Sequence, residues 1–302
     1  MTILINLVGE QPLPNLMPVE LESPGVVVLV HSDFTEQIAE KLDNLIGVEV
    51  IRHCVDAYDI AETETYLRNL VAERRWPAGE LLFNLTGGTK PMSLGAFRVA
   101  LEMKSRALYV KTKDRGAIYF YDFQHGSEPI EKTFLDTLPP VLTLPTFLRS
   151  FRGSQYLVRD DYAKTEPGRS FEQAVHKALA ESVDEVMVGV KLDDVVDIDL
   201  VLRTGNAVAL VECKIGQNGL KNAIDQLNTA GGQGYLGTYT RKIIVSNVSW
   251  KATTNLAALA RARRIDVIEL VDYQACDPAL SEASSNHLRK EVERLLGKKR
   301  QL

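Results

Sequence analysis

The sequence predicts an α/β protein of two domains, the first with a mostly parallel sheet and the second with a mixed sheet. Three observations support this prediction. Apolar, strand-like runs alternate with helical patterns in the first part of the chain, and the order changes to helix first after residue 169. The length of 302 residues is typical of two domains.

The strands of the first part are apolar and rich in β-branched residues, as buried parallel strands are. Helices with apolar faces separate them, and the short connections favour an open sheet with helices on both sides. The predicted strands are residues 3–8, 26–30, 48–54, 80–84, 106–111 and 117–123, and the predicted helices are 34–46, 59–74 and 91–104. The last two strands are joined by a turn at Asp114-Arg115-Gly116.

A proline-rich segment divides the two domains. Five of the twelve prolines of the chain fall between residues 127 and 169, where only a short helix over 143–151 is expected. The predicted organisation is therefore a first domain over 1–126, a connector over 127–168 and a second domain over 169–302.

The second domain is predicted to follow the order α-β-β-β-α-β-α-β, with a further amphipathic helix over 284–302 that ends in Lys298-Lys299-Arg300. Thr204-Gly205-Asn206 is typical of a hairpin turn between two of its strands. The predicted helices are 170–182, 218–230 and 254–264, and the predicted strands are 185–190, 195–203, 207–214, 242–245 and 266–270.

Composition limits the function classes. The formal net charge of −5 argues against a general polyanion binder, although a local basic groove stays possible. Cys54, Cys213 and Cys276 lie far apart without a C-x-x-C pair, which favours a reducing, cytoplasmic environment. The longest aliphatic run, residues 26–30, is too short to span a membrane.

Acidic residues and a lysine meet on the predicted hairpin. Because side chains alternate along a strand, Glu212 and Lys214 share one face, and Asp197 and Asp199 share a face of the partner strand. If Gly205 and Asn206 form the loop, Glu212 faces Asp199. If the loop is one residue earlier, Glu212 faces Asp197.

Opposed carboxylates repel unless a cation lies between them, and carboxylate oxygens suit Mg²⁺ or Mn²⁺. Glu172, on the helix that enters the domain, is a candidate for a third ligand. Lys214 is suited to orient a water molecule or to stabilise charge on a phosphate. This set favours metal-assisted phosphodiester hydrolysis. The alternative is a group of solvated charges on an exposed sheet face.

Gly168-Arg169-Ser170-Phe171-Glu172, Asp199 and Glu212-Cys213-Lys214 together resemble the PD-(D/E)xK nuclease superfamily. The resemblance implies a restriction-endonuclease-like domain in which Glu172, Asp199 and Glu212 bind Mg²⁺ or Mn²⁺ and Lys214 handles water or phosphate. It also implies a catalytic contribution from Gln226, for which a surface helix position is the alternative. Asp197 is the alternative metal ligand if the hairpin loop lies one residue earlier.

In the first domain, two glycines follow a buried strand and precede a helix, in the run Asn84-Leu85-Thr86-Gly87-Gly88-Thr89-Lys90-Pro91-Met92. Glycines let the backbone approach a ligand, and the N-terminus of the following helix favours an anion. Neither a P-loop nor G-x-G-x-x-G is present, which disfavours a plain nucleotide-dependent enzyme. The alternative is a tight turn with a helix cap.

Two other loops are expected at the same edge, because ligands of open α/β sheets bind beyond the carboxyl ends of the strands. They contain the candidate ligand residues Gly9, Gln11, Pro12, Ser32, Asp33 and Phe34, which join Asn84, Thr86, Gly87, Gly88, Thr89, Lys90 and Met92. Ordinary connecting turns are the alternative for each loop taken alone.

The stretches 7–15 and 84–92 resemble a CRISPR-associated Rossmann-fold (CARF) domain over roughly residues 1–125. Joined to a PD-(D/E)xK domain, the chain resembles the CARF nuclease effectors of type III CRISPR systems. The resemblance implies a homodimer that binds a cyclic oligoadenylate, most often cyclic tetra-adenylate, and then cleaves DNA or RNA. The connector is too short for the winged-helix segment of some relatives. A non-catalytic cyclic-nucleotide sensor is the second hypothesis.

Overall fold

The structure is a computed structural model of the chain. It describes residues 1–111, 117–124, 131–135, 139–193, 196–250 and 254–297. Two compact units are present, one formed by Met1–Leu142 and Arg149–Phe151 and the other by Thr143–Leu148 and Arg152–Leu302. The turn predicted at 114–116 and the basic end of the chain at 298–300 lie outside the described residues.

The first unit is an α/β sandwich around one mixed sheet. Its strands are β1 (Ile3–Leu7), β2 (Val26–His31), β3 (Glu49–Cys54), β4 (Leu81–Asn84), β5 (Arg106–Lys111), β6 (Ala117–Asp122) and β7 (Glu131–Leu135). The helices are α1 (Leu13–Glu22), α2 (Glu36–Asp43), α3 (Ile60–Arg74) and α4 (Lys90–Glu102). The sheet order is β3-β2-β1-β4-β5-β6-β7.

The predicted mostly parallel sheet is confirmed, because β3, β2, β1, β4 and β5 pair in parallel and β5, β6 and β7 pair antiparallel. The central strand β1 is buried along its whole length. Ile3, Ile5 and Leu7 pack into one core with side chains of α3 and α4, whereas Leu4 packs into a second core with α1 and α2. Helices therefore cover both sheet faces.

Two elements of this unit were not predicted. Helix α1 lies in a stretch for which no helix was predicted, and it contains Pro18 in its interior. Strand β7 lies inside the segment predicted as a connector and extends the sheet by pairing with β6. The unit therefore continues past residue 126, the boundary expected from the sequence.

The second unit contains α6 (Gly168–Ala180), α7 (Leu220–Ala230), α8 (Thr254–Ala262) and α9 (Glu282–Leu296). Its strands are β8 (Tyr156–Val158), β9 (Glu185–Leu192), β10 (Val196–Thr204), β11 (Ala207–Lys214), β12 (Arg241–Ser246) and β13 (Asp266–Glu269). Helix α5 (Leu144–Arg152) has residues in both units.

This second sheet is mixed, as predicted, with the order β13-β12-β11-β10-β9-β8. Strands β11, β12 and β13 are parallel, and β8 to β11 pair antiparallel. β8 was not predicted, because it has only three residues in the proline-rich segment. Among the described helices, none combines the length and apolar character that crossing a bilayer requires.

The β10–β11 hairpin is the frame on which the acidic residues lie. Helices α6 and α9 pack on one face of the sheet, where Val211 and Cys213 belong to their core. Helix α7 packs against β10, β11 and β12, and its buried side chains are not part of that core. Because side chains alternate, Glu212 and Lys214 point away from the α6–α9 core.

Candidate functional sites

The glycine loop of the first unit is shaped by close backbone contact. A Cβ at Gly87 would lie 2.0 Å from the carbonyl oxygen of Leu7, and one at Gly9 would lie 3.2 Å from the amide nitrogen of Gly88. Gly88 has φ +67°, a conformation that L side chains rarely adopt. The loops after β1 and β4 therefore approach each other at a point where no side chain fits.

Beneath the loop lies a network of buried asparagine side chains. The amide of Asn84, which is fully buried, donates to Asn6 Oδ1 and to the carbonyl oxygen of Pro14, both at 2.8 Å. Its own oxygen accepts from the backbone and hydroxyl of Thr86 at 3.1 and 2.6 Å. Asn15 donates to the carbonyl oxygen of Leu7 at 2.8 Å. The hydrogen bonds of Asn84 and Thr86 thus fix the start of the glycine loop.

Asn6 and Asn15 were not singled out from the sequence. Both are fully buried, and Asn6 donates to the carbonyl oxygen of Asn15 at 3.1 Å. The available signal was a polar residue within the otherwise apolar strand β1, because a buried amide needs a hydrogen-bond partner. A search for such a partner would have pointed to the other asparagines.

Replacing Asn84 with Ala is expected to lower the free energy of unfolding of the first unit by about 2–3 kcal/mol, because buried partners lose their hydrogen bonds. Urea denaturation measures this change. Asn69→Ala is the matched control, since Asn69 is exposed on α3. An Asn84→Ala protein as stable as the Asn69→Ala protein would contradict the structural role of the network.

The start of α4 carries three of the predicted ligand residues. Thr89 caps the helix by accepting a hydrogen bond from the amide of Met92 at 3.3 Å, and its hydroxyl donates to the carbonyl oxygen of Ala57. Lys90 is exposed. Met92 is only 1% exposed and belongs to the core of α3, α4 and the sheet. The side chain of Met92 faces the interior, so a contact of Met92 with a ligand stays a prediction that concerns its backbone at the start of α4.

The loops after β2 and β3 line an open pocket of about 420 Å³. Ser32, Asp33 and Phe34, all predicted ligand residues, line it together with Tyr58 and Glu62. Ser32 is buried and its backbone amide donates to Thr35 Oγ1 at 3.1 Å, whereas Phe34 is 83% exposed. The carboxylates make this pocket unfavourable for phosphate, but the exposed aromatic ring is suited to contact a base.

Among the predicted residues of the β1 loop, Pro12 is buried and precedes α1. Its carbonyl oxygen accepts hydrogen bonds from the amides of Asn15 and Leu16, both at 3.0 Å. Gln11 is half-buried. In this loop, Gly9 is the residue whose backbone lies close to Gly88. Pro12 caps the N-terminus of α1, the helix that carries Asn15.

In the second unit, the hairpin register decides which acids meet. Thr204 pairs with Ala207 and Leu200 pairs with Val211, so Gly205 and Asn206 form the loop. Continuing this register by one step places Asp199 opposite Glu212. The first of the two predicted registers is therefore confirmed.

Lys214 connects the two acids. Its Nζ lies 2.7 Å from Glu212 Oε2 and 3.3 Å from Asp199 Oδ2. Asp199 Oδ2 also accepts a hydrogen bond from the backbone amide of Cys213 at 2.7 Å. Glu212 is 1% exposed, so this is a largely buried cluster and not the exposed sheet face of the alternative interpretation.

The cluster shifts the pKa values of its members. Burial and the charge of Asp199 raise the pKa of Glu212 to about 8 and that of Glu172 to about 7. Burial alone would lower the pKa of Lys214, but Glu212 and Asp199 raise it above its ordinary value. Glu172 also accepts a hydrogen bond from the amide of Ala163 at 2.7 Å. Burial is the larger cause of both carboxyl shifts, and the charge of Asp199 adds to it.

The side chains of this cluster have the chemistry that a hard divalent cation prefers. Glu172, Asp199 and Glu212 offer carboxylate oxygens, and Glu212 Oε1 is buried without a hydrogen-bond partner among the described residues. Within the same residues, no group of three or more His, Cys, Asp and Glu side chains is arranged closely enough to hold a metal ion. The position between Asp199 and Glu212 is occupied by the ammonium group of Lys214.

Asp197 and Gln226 lie beside the cluster. Asp197 Oδ1 pairs with Arg159 at 2.8 Å, and its side chain is 43% exposed. Gln226 is half-buried on α7 and donates to the carbonyl oxygen of Asp197 at 3.3 Å. In this arrangement Arg159 forms an ion pair with Asp197, the alternative ligand. Gln226 connects α7 to the start of β10 by a hydrogen bond.

Comparison with known proteins identifies the first unit. Residues 3–135 match the family profile of the Card1 CARF domain. The N-terminal unit therefore carries a CARF domain, as the resemblance implied. No curated protein sequence matches the chain closely enough to count as a relative.

Solved structures share the fold of nearly the whole chain. Can2 from Sulfobacillus thermosulfidooxidans, in complex with cyclic tetra-adenylate, has a TM-score of 0.72 at 14% identity, covering 98% of this chain and 99% of that one. Protein VC1899 from Vibrio cholerae has a TM-score of 0.70 at 12% identity, with the same coverage of both chains. These similarities show a shared two-unit α/β fold.

A type III CRISPR defence DNA nuclease activated by cyclic oligoadenylate is similar over part of its length. Its TM-score is 0.60 at 18% identity, and the match covers 81% of this chain and 45% of that one. This similarity also concerns the fold alone.

Proposed function

We propose that this protein is a type III CRISPR effector that binds a cyclic oligoadenylate and, once activated, cleaves phosphodiester bonds in DNA or RNA. The observation that carries the proposal is the presence, in one chain, of a CARF domain and a buried carboxylate–lysine cluster. The similarity to Can2 with bound cyclic tetra-adenylate supports this ligand as the activator.

The glycine loop supplies the means to hold the activator. Gly87 and Gly88 let the loop pack closely against Leu7, which sets its conformation before α4, and the N-terminus of α4 favours a phosphate. Lys90 adds an exposed positive charge at that N-terminus. A cyclic ligand with two-fold symmetry suits a homodimer in which each protomer offers the same surface. We therefore propose that two copies share one activator.

The second unit supplies the chemistry. We propose that it is a PD-(D/E)xK domain in which Glu172, Asp199 and Glu212 bind Mn²⁺ or Mg²⁺. When bound, the ion polarises the phosphate and lowers the pKa of water. Lys214 pairs with developing negative charge on the phosphate, and Gln226 holds α7 against β10. Activation requires that the activator bind the cleaving arrangement more tightly than the resting one.

A non-catalytic sensor is the second candidate, and one observation favours it. Lys214 already pairs with both Asp199 and Glu212, so the ion pairs give the cluster a structural role that needs no catalysis. This alternative predicts activator binding without cleavage of any nucleic acid.

One assay separates the two candidates. The protein is incubated with Mn²⁺ and labelled RNA, single-stranded DNA or duplex DNA, with and without cyclic tetra-adenylate or cyclic hexa-adenylate. The effector proposal predicts cleavage of at least one substrate that requires both Mn²⁺ and a cyclic oligoadenylate. Activator binding with no cleavage of any substrate would leave the sensor.

Replacing Lys90 with Gln is expected to weaken cyclic tetra-adenylate binding roughly tenfold at low salt, because a phosphate contact loses its positive charge. The slope of log affinity against log salt should become shallower by about one unit. Isothermal titration calorimetry at several salt concentrations measures both quantities. Lys104→Gln is the control, since Lys104 is exposed after α4. Equal affinities and slopes for the two variants would exclude Lys90 from the ligand site.

A further inference from the structure

We propose that Lys214 is the internal counter-ion of Asp199 and Glu212, and that a divalent cation enters the site by displacing its ammonium group. The proposal rests on the proposed function, because it concerns the same carboxylates. It assigns Lys214 a role before any substrate is present, as a competitor of the metal ion.

The contacts show why the ammonium group is needed. Glu212 is 1% exposed, and an uncompensated charge at such a position is strongly unfavourable. Lys214 Nζ contacts Glu212 Oε2 and Asp199 Oδ2, one oxygen of each carboxylate. A single ammonium group therefore stabilises negative charge on either carboxylate.

The same contacts define the competition. A divalent cation held by both carboxylates would lie close to the ammonium group that now contacts one oxygen of each, and two cations at such short range repel. Glu212 Oε1 is buried without a hydrogen-bond partner among the described residues, so Lys214 leaves one acceptor of this carboxylate unused. Of the two ammonium contacts, the one to Asp199 is the longer, at 3.3 Å, and it is the contact that displacement would break first.

The side chain of Lys214 is partly exposed, with 22% of its surface accessible to solvent. A Cβ at Gly219, the residue before α7, would lie 3.9 Å from Lys214 Cδ, so a glycine faces the lysine stem there. Displacement would move the ammonium group toward the solvent that the side chain already contacts.

The proposal predicts that removing the ammonium group strengthens metal binding although it removes a group needed for cleavage. Mn²⁺ binding to the full-length protein, without nucleic acid or activator, is measured by isothermal titration calorimetry. Lys214→Met is expected to bind Mn²⁺ at least about tenfold more tightly than the wild type, because the competing charge is gone. Lys221→Met is the control, since Lys221 is 72% exposed, and its affinity should equal that of the wild type.

A second measurement uses the wild-type protein and does not depend on how a variant folds. Acetylation of individual lysines by acetic anhydride is followed by mass spectrometry with and without Mg²⁺. Displacement predicts that Lys214 is acetylated several-fold faster with Mg²⁺, while the rate at Lys221 is unchanged.

The outcomes separate this inference from the proposed function. If Lys214→Met binds Mn²⁺ no more tightly than the wild type, or if Mg²⁺ leaves the acetylation of Lys214 unchanged, displacement is overturned. Metal-dependent cleavage by the wild type would still support the nuclease in that case. A wild type that neither binds Mn²⁺ nor cleaves nucleic acid would overturn both.

Discussion

Replacing Glu212 with Gln is expected to reduce activated cleavage by roughly a thousandfold or more, because the central carboxylate ligand of the proposed metal site is lost. Cyclic tetra-adenylate binding should be unchanged, because Glu212 belongs to the second unit and the CARF domain to the first. Cleavage with saturating Mn²⁺ and activator binding by calorimetry are the two measurements.

The substitution is designed to keep the fold. Gln has the shape of Glu, and a buried carboxyl group whose pKa is raised to about 8 by burial and by Asp199 tolerates a neutral form. Glu181→Gln is the control, since Glu181 is exposed at the end of α6. A Glu212→Gln protein that cleaves at the rate of the control, with Mn²⁺ supplied, would exclude Glu212 from the catalytic site.

Replacing Gly87 with Ala is expected to lower the affinity for cyclic tetra-adenylate at least tenfold and to destabilise the first unit by about 1–3 kcal/mol. The added Cβ would lie 2.0 Å from the carbonyl oxygen of Leu7 and 3.0 Å from the amide of Gly9. Both are backbone atoms, so no side-chain rotation relieves the overlap and the loop itself has to move.

Gly79→Ala is the matched control, because a Cβ at Gly79 meets nothing within 4 Å. Calorimetry with the cyclic ligand and urea denaturation are carried out on both variants. If Gly87→Ala binds the ligand as tightly as Gly79→Ala does, the glycine loop is not part of the activator site.

The fold of the first unit was largely predictable from sequence, because its central strands are continuous apolar runs. Helix α1 was not predicted, and it contains Pro14 and Pro18, a residue type that is unfavourable inside a helix. The structure places Pro14 in the first turn, where proline is tolerated, and burial of Leu16 and Met17 stabilises the helix despite Pro18. β7 and β8 are stabilised by pairing with β6 and β9, and local sequence patterns do not reveal these pairings.

For the candidate sites, the sequence predicted which residue types meet but not how they contact. The choice between Asp197 and Asp199 depended on a one-residue difference in the hairpin loop, and tertiary packing decides it. The bridge from Lys214 to both carboxylates depends on the burial of Glu212, which the sequence pattern alone does not give.

Diffraction from crystals of the protein grown with Mn²⁺, recorded for the anomalous signal of manganese, tests the central claim most directly. The account predicts an anomalous peak within coordinating distance of Asp199 and Glu212, with the ammonium group of Lys214 moved away from Asp199. Crystals at a Mn²⁺ concentration that supports binding in solution, with no peak at these carboxylates and with Lys214 still bridging them, would contradict it.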